Sequence, residues 1–351
     1  MKDPWILVTG ATGLIGGTLV RTLVERGEKV KAFVRAGSDL RGLEGLPNEQ
    51  CQLAFGDATV EHTVYRALAS CSQLYHVAGP FQYMPKNAQA LVDSARNSAR
   101  AVLGAARRRG IENIVVTSSA AVLGTSSVAE AMDETHGYNL TDAEPYVEAK
   151  VAADRVVEEL VADGMPIVSV LPAGVFGPRD YKPTPNGRGL IEYMKLPPSF
   201  SVPVSEGGIS VADVDDVVHG HIRAMEVGDV GERYILGGEN VTYTQFFQML
   251  ADITGLAEPS EPKGPLTIGL VAWLSELRAH FTNTPPALTS RLARDYAHSY
   301  VWVTSEKAEQ ALDYRHRPAR ETLARAARWL LERGYVPSTV AERVRLELRP
   351  V

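Results

Sequence analysis

The sequence predicts an α/β chain: a doubly wound parallel sheet with a smaller, mostly helical second lobe. Three observations carry this. Short apolar runs rich in β-branched residues alternate with helically spaced segments through the first half of the chain, as a parallel sheet covered on both faces requires. A glycine-rich turn, Thr9–Gly16, joins the first such run to the first helical segment. Beyond about Leu171 prolines accumulate, among them Pro172, Pro178, Pro183 and Pro185, and the elements shorten, which marks a change of architecture.

Taken in order, strands are expected at Trp5–Val8, Val30–Val34, Gln52–Phe55, Leu74–Val77, Ile114–Thr117 and Ile167–Leu171. Leu14, Leu19, Val20, Leu23 and Val24 share one helix face, and Leu91, Ala95, Ala99, Val102 and Leu103 share another. Gly27 and Gly110 fall where helix C-terminal caps belong. Residues 1–171 then form the sheet domain and 172–351 the second lobe. That lobe is expected to return strands at Ile209–Val211 and Arg233–Leu236 to the main sheet.

Bulk properties exclude several classes. The 351 residues are 45% hydrophobic and 22% charged, which suits a folded two-lobed enzyme. Lys and Arg number 36 against 42 Asp and Glu, a net charge of -6 with no broad basic field, so no nucleic-acid partner is expected. Cys51 and Cys71 are too few for a disulfide framework and fit a reducing compartment. The most apolar later stretch, Leu266–Leu277, contains Thr267 and Ser275 and is too short to cross a bilayer. With no secretory leader legible, the expected location is cytoplasmic, away from membranes.

The glycine turn carries the first function. Trp5–Val8 runs into Thr9-Gly10-Ala11-Thr12-Gly13-Leu14-Ile15-Gly16, and a helical pattern follows. Gly10 permits a tight turn, Gly13 lets backbone approach a pyrophosphate, and Gly16 lets the helix pack on the strand. The helix start adds unpaired N–H groups and a positive dipole end. Strand before, helix after and a second strand at Val30–Val34 give the context that makes this a Rossmann-type dinucleotide site. Gly10, Thr12, Gly13, Leu14, Ile15 and Gly16 are its candidate residues. The second strand ends Phe33-Val34-Arg35, with Arg41 following and no acid at positions 34 to 36. A guanidinium suits a ribose 2′-phosphate where an acid would select the 2′-hydroxyl. NADP(H) is therefore expected, with NAD(H) as the alternative. Asp57 and Ala58, after the third strand, are candidates for the adenine edge, though Asp57 serves equally as a turn residue.

Ser119 follows the strand Ile114–Thr117, which places it and Thr117 at the carboxyl end of the sheet, where open α/β folds bind ligands. Tyr146 and Lys150 are four apart on one helix face, and Pro145 suits a first helical turn. The residue types match carbonyl chemistry. A ketone receiving hydride must also receive a proton, and free tyrosine, with a pKa of about 10, is a poor donor near neutrality. A nearby ammonium favours the phenolate, and a serine hydroxyl can bond the carbonyl oxygen.

Together these motifs resemble the extended short-chain dehydrogenases/reductases, especially the dihydroflavonol-reductase-like branch with its hopanoid-associated sugar epimerase-like relatives. The resemblance covers Thr9–Gly16, Val34-Arg35, Gly56-Asp57, His76-Val77-Ala78, Val116–Ser119, Tyr146–Lys150, Leu171–Pro178, Val211–Val217, Gly231–Gly238 and Ser305–Leu312. It implies that Val77, Ala78 and Gly79 line the cofactor, that Pro172 with Ala173 and Gly174 backs the nicotinamide, with Val175 a further cofactor candidate, and that Lys150 bonds its ribose. The asparagine that relatives carry in the helix after the fourth strand is Ala95 here, or is replaced by neighbouring Asn97. Candidate substrate contacts are Phe81, Gln82 and Tyr83 in the loop after that strand, with Ala120 and Arg179.

Other clusters have plainer readings. Asp213, Asp215 and Asp216 begin a helix, where carboxylates cap N–H groups. His219 and His221, two apart, point different ways on a helix, so no metal is expected. The expected activity is NADPH-dependent reduction of a small-molecule ketone or aldehyde. The alternatives are an NAD(P)-dependent sugar epimerase or dehydratase, and a cofactor-sensing regulator, against which the Tyr–Lys pair argues. A homodimer is left open.

Overall fold

The structure is a computed structural model describing residues 4–79, 87–282 and 288–347. Its first half runs β1 (Trp5–Thr9), α1 (Leu14–Glu25), β2 (Val30–Val34), β3 (Cys51–Phe55), α2 (Glu61–Ala67), β4 (Cys71–His76), α3 (Ala88–Arg109), β5 (Asn113–Thr117), α4 (Pro145–Ala162) and β6 (Ile167–Pro172). There follow β7 (Gly174–Phe176), α5 (Pro185–Met194), β8 (Gly208–Asp213), α6 (Val214–Val227), β9 (Arg233–Leu236), β10 (Glu239–Thr242) and α7 (Tyr243–Thr254). The chain ends with α8 (Pro265–Thr282), α9 (Ser290–Tyr296), β11 (Tyr300–Val301), α10 (Glu306–Leu312), α11 (Ala319–Glu332) and α12 (Ser338–Glu347).

All six strands expected in the first half lie in one seven-stranded parallel sheet, ordered β3-β2-β1-β4-β5-β6-β9. Strand alternation sorts the core into two layers. Ile6 and Val8 face α1 and α6, against Leu19, Leu23, Val217 and Ile222. Leu7, Leu74 and Ile114 face the other way, against Val64, Val102, Leu103 and Val157 from α2, α3 and α4. The order reverses between β1 and β4, and a crevice opens at such a switch point. α3 closes on Gly110 at φ +66 as expected, and α3 meets α4 through the small side chains Ala95 and Ala149.

One expected strand goes elsewhere. Arg233–Leu236 joins the main sheet beside β6, but Ile209–Val211 lies within β8, the centre of a second, four-stranded sheet with β7, β10 and β11. An apolar run records that a strand is buried; it carries no address for its neighbours. The helices α5, α7, α11 and α12 pack on this second sheet through Met194, Leu250, Leu323, Leu330 and Val344. Asp213, wholly buried, caps α6 by accepting from the Asp215 N–H at 2.8 Å. Arg325 donates to Asp213 at 2.6 Å and also to Asp215, while Arg317 holds Asp216. The acidic trio is thus an ion-paired helix start. α8 is seated through Ile268, Ala272 and Ala279, with Leu266, Leu270, Trp273 and Phe281 exposed. No helix among the described residues is long and apolar enough to cross a membrane.

Candidate active site

β1 ends at the fully buried Thr9 and turns sharply at Gly10, whose φ is +68. A β-carbon on Gly10 would lie 2.8 Å from Ala78 N, and one on Gly16 would lie 2.2 Å from Gly10 O. No side chain fits at either position. Gly13 caps α1 without any side-chain hydrogen bond. The first N–H to find a partner inside the helix is that of Gly17, to Gly13 O at 2.8 Å, which leaves the N–H groups of Leu14, Ile15 and Gly16 for a ligand. Leu14 is buried and Ile15 packs on the core, so backbone is what this end presents, beside half-buried Thr12. Uncapped donors at a positive helix end fit a pyrophosphate.

At the neighbouring strand ends the arginines divide. Arg35 is exposed; its carbonyl accepts from Ser38 N at 3.1 Å, and its guanidinium makes no hydrogen bond or ion pair with any described residue. Arg41 is held by Asp39 at 2.6 Å and by Tyr181 O at 2.9 Å. Its guanidinium links the sheet domain to the second lobe, a role that local sequence does not reveal. Asp57 accepts from Thr59 N at 2.8 Å and Thr59 Oγ1 at 2.7 Å. The Thr59 N–H, then its hydroxyl, hold that carboxyl below its usual range. It is built into a turn, beside half-buried Ala58.

The candidate catalytic residues stand at the end of β5 and the start of α4. Ser119 caps a short 3-10 turn, its Oγ accepting from Ala121 N at 3.2 Å. Pro145 opens α4, so Tyr146 sits in its first turn and Lys150 one turn on. Lys150 Nζ donates to Ser118 O at 3.4 Å. Behind it, Ser118 Oγ donates to Asp154, which also accepts from Arg233 of β9 at 3.0 Å. The segment before Tyr146 is pinned from α9: Thr289 donates to Glu144, and Arg291 holds Asp142 at 3.0 Å.

Beneath the site, Thr117 Oγ1 lies 2.8 Å from His221 Nε2, and His221 Nδ1 donates to Val217 O at 2.7 Å. The second bond makes Nε2 the acceptor, so Thr117 is the donor. Burial pushes this imidazole down to about 4. His221 is a satisfied core histidine.

Several expectations need amendment. Ala120 is buried with Val122, Leu123 and Met132, so its side chain serves the core. Arg179 donates to Asp215 and, at 3.2 Å, to Thr18 Oγ1; it bridges α6 to α1. Val175 packs among the core residues under α1, whereas Pro172 ends β6 and Ala173 N donates to Leu236 O at 3.2 Å. Asn97 points to solvent, while Ala95 lines a cavity beside Lys150. Val77 and Ala78 are half-buried and Gly79 is exposed, next to Lys150. Phe81, Gln82 and Tyr83 lie outside the described residues. The residues that sequence reasoning missed, His76, Asp154 and Arg233, leave one trace: polar types at positions of buried strand or helix faces.

This fold and this set of side chains define a class, the NAD(P)-dependent oxidoreductases built on a Rossmann sheet. Residues 6–237 match the NAD dependent epimerase/dehydratase family, and the chain belongs to it, as an extended short-chain dehydrogenase/reductase. It is 31% identical to a putative dihydroflavonol 4-reductase of Synechocystis sp. over 335 residues, covering 94% of this chain and 95% of that one. It is 30% identical to sterol demethylase protein B of Methylococcus capsulatus, covering 94% and 99%. Among solved structures, that of gox2253 aligns with a TM-score of 0.80 at 31% identity, covering 95% of this chain and 100% of the other.

Proposed function

We propose that the protein is an NADPH-dependent reductase of a ketone or aldehyde whose substrate carries an apolar, ring-based body. The observation that carries this is how the arginines are used. Arg35, directly after β2, has its guanidinium in no hydrogen bond or ion pair with a described residue, as a ribose 2′-phosphate requires. The arginines that could clamp the diphosphate of a nucleotide sugar are engaged: Arg179 with Asp215, Arg188 with Pro183 O at 3.0 Å, and Arg223 with Glu226 at 2.6 Å. This favours net reduction over epimerisation. The relatives named for a dihydroflavonol and for sterols support a substrate with an apolar ring skeleton.

The glycine turn and the start of α1 would hold the pyrophosphate, and Arg35 the 2′-phosphate. When bound, the cofactor supplies hydride to the carbonyl carbon. Ser119 Oγ donates a hydrogen bond to the carbonyl oxygen and fixes its place. Tyr146 gives that oxygen its proton as charge develops. Lys150, on the same helix face, places a positive charge beside the phenol and bonds the ribose. A cytoplasmic enzyme without a resident metal accords with this chemistry.

The test is a panel of cyclic ketones and nucleotide sugars with purified protein and NADPH. Stoichiometric loss of NADPH absorbance with a hydrophobic ketone is expected. Tightly bound NAD in the purified protein, with nucleotide-sugar turnover and no net change in absorbance, would overturn the proposal in favour of an epimerase.

A further inference from the structure

Behind Lys150 lies a cavity of about 30 Å³ whose polar lining includes His76, Ser118, Lys150 and Asp154, with Ala95 and Ala99 of α3 on its apolar side. One water needs about 10–15 Å³. The protonation of His76 follows from its neighbours. Thr9 is wholly buried, and its Oγ1 accepts from Ala78 N at 3.2 Å. His76 Nδ1 lies 2.8 Å from the same oxygen. The Thr9 hydroxyl proton must go to an acceptor, and Nδ1 is the one that Thr9 Oγ1 reaches. An accepting Nδ1 puts the imidazole proton on Nε2. Burial, and then the charge of Lys150, push His76 down to about 4, so the ring is neutral near pH 7.

His76 and Lys150 both line the cavity; with Nδ1 engaged by Thr9, the imidazole N–H left to serve it is Nε2–H, and this donor and the Lys150 ammonium need an acceptor between them. Each oxygen of Asp154 already takes one bond, from Ser118 or from Arg233, and each keeps a further lone pair. The small side chains of Ala95 and Ala99 leave the room. Water alone among common ligands accepts twice, donates twice and fits.

We propose that this cavity is a bound-water site through which His76 positions Lys150, one water accepting from His76 Nε2–H and from Lys150 Nζ and donating toward Asp154. His76 is then a positioning residue, acting on the ammonium that serves Tyr146. The water site stands on geometry; only its kinetic consequence rests on the reductase reading.

The test uses the full chain with NADPH bound. A crystal structure at atomic resolution should show an ordered water about 3 Å from both nitrogens, and ¹⁵N shifts of His76 should report the Nε2–H tautomer. His76→Leu should lower kcat about tenfold to a hundredfold with substrate KM nearly unchanged, while His76→Gln, which keeps an N–H donor, should recover most of the loss. No water at that position, or the Nδ1–H tautomer, overturns the proposal. So does equal impairment of the Leu and Gln variants, which would mark a packing role, or wild-type kinetics for His76→Leu. If no carbonyl compound is reduced, the reductase reading fails while the water and the tautomer still decide this one.

Discussion

A β-carbon on Gly79 would lie 3.2 Å from Lys150 Nζ, so the ammonium occupies space that any side chain at position 79 would contest. That spacing is tight without being impossible, and the lysine would have to shift by a few tenths of an ångström. Gly79→Ala should therefore fold normally and bind NADPH more weakly. Its kcat should fall about tenfold, a fraction of the hundredfold that a 1 Å misplacement can cost. Steady-state kinetics beside a thermal melt separates the effects, and a variant with unchanged kcat would show that the position of the ammonium is not critical.

In the proposed reductase Arg35 sets cofactor preference. Arg35→Asp should weaken NADPH binding by about tenfold to a hundredfold, the worth of one charge-assisted contact, and leave NADH binding nearly unchanged. Fluorescence titration with both cofactors measures it. Equal weakening of the two would remove Arg35 from the ribose site.

Tyr146→Phe deletes only a proton donor. Turnover should drop about a hundredfold to ten-thousandfold while NADPH affinity stays near wild type. Lys150→Ala should damage both, because in the proposed mechanism Lys150 serves phenol and ribose together. Substantial activity in Tyr146→Phe would send the search for the donor elsewhere.

Arg325 is a stability prediction. Its guanidinium meets the wholly buried Asp213 at 2.6 Å and reaches Asp215 as well. Arg325→Met leaves the buried carboxylate only the more distant Arg317, at 3.8 Å, and should cost about 3 kcal/mol in urea unfolding. Adding Asp213→Asn should return part of that loss, since the poorly compensated charge goes with it.

His221 gives a pH dependence with a definite sign. Burial holds its folded pKa near 4 against an ordinary 6.5. Between those values the unfolded chain binds a proton that the folded chain refuses, so this site's contribution is full above pH 6.5 and lost as pH falls toward 4. From about pH 7 to about pH 5 the loss should be about 2 kcal/mol. His221→Asn should start less stable at neutral pH, yet lose that much less over the same interval. Parallel curves would contradict the assignment.

Much of the sheet is legible in the sequence because alternation is local: Ile6, Leu7 and Val8 announce two buried faces by themselves. The placement of Ser119, Tyr146 and Lys150 is legible for the same reason, being fixed by a strand end and one helical turn. What escapes is partnership over distance. Nothing near Arg179 or Arg41 says that one meets Asp215 and the other Tyr181 O, and nothing in Ile209–Val211 says that its neighbours are β7, β10 and β11. His76 escapes for a subtler reason, since its meaning depends on which nitrogen Thr9 engages.

The seventh strand makes the two halves of the chain hard to trade. Ser169 to Pro172 pair with Arg233 to Leu236, which arrive only after β7, β8 and α6 have been laid down, and Arg233 reaches back to Asp154 behind Lys150. A chimera joined at residue 171 would take β9 from the foreign parent, so the graft would replace a sheet edge and the support behind Lys150 along with the second lobe. Recombination between relatives would need a graft of Arg233–Leu236 from the first parent as well. Divergence of specificity in this architecture is thereby steered toward changes in loops and single side chains.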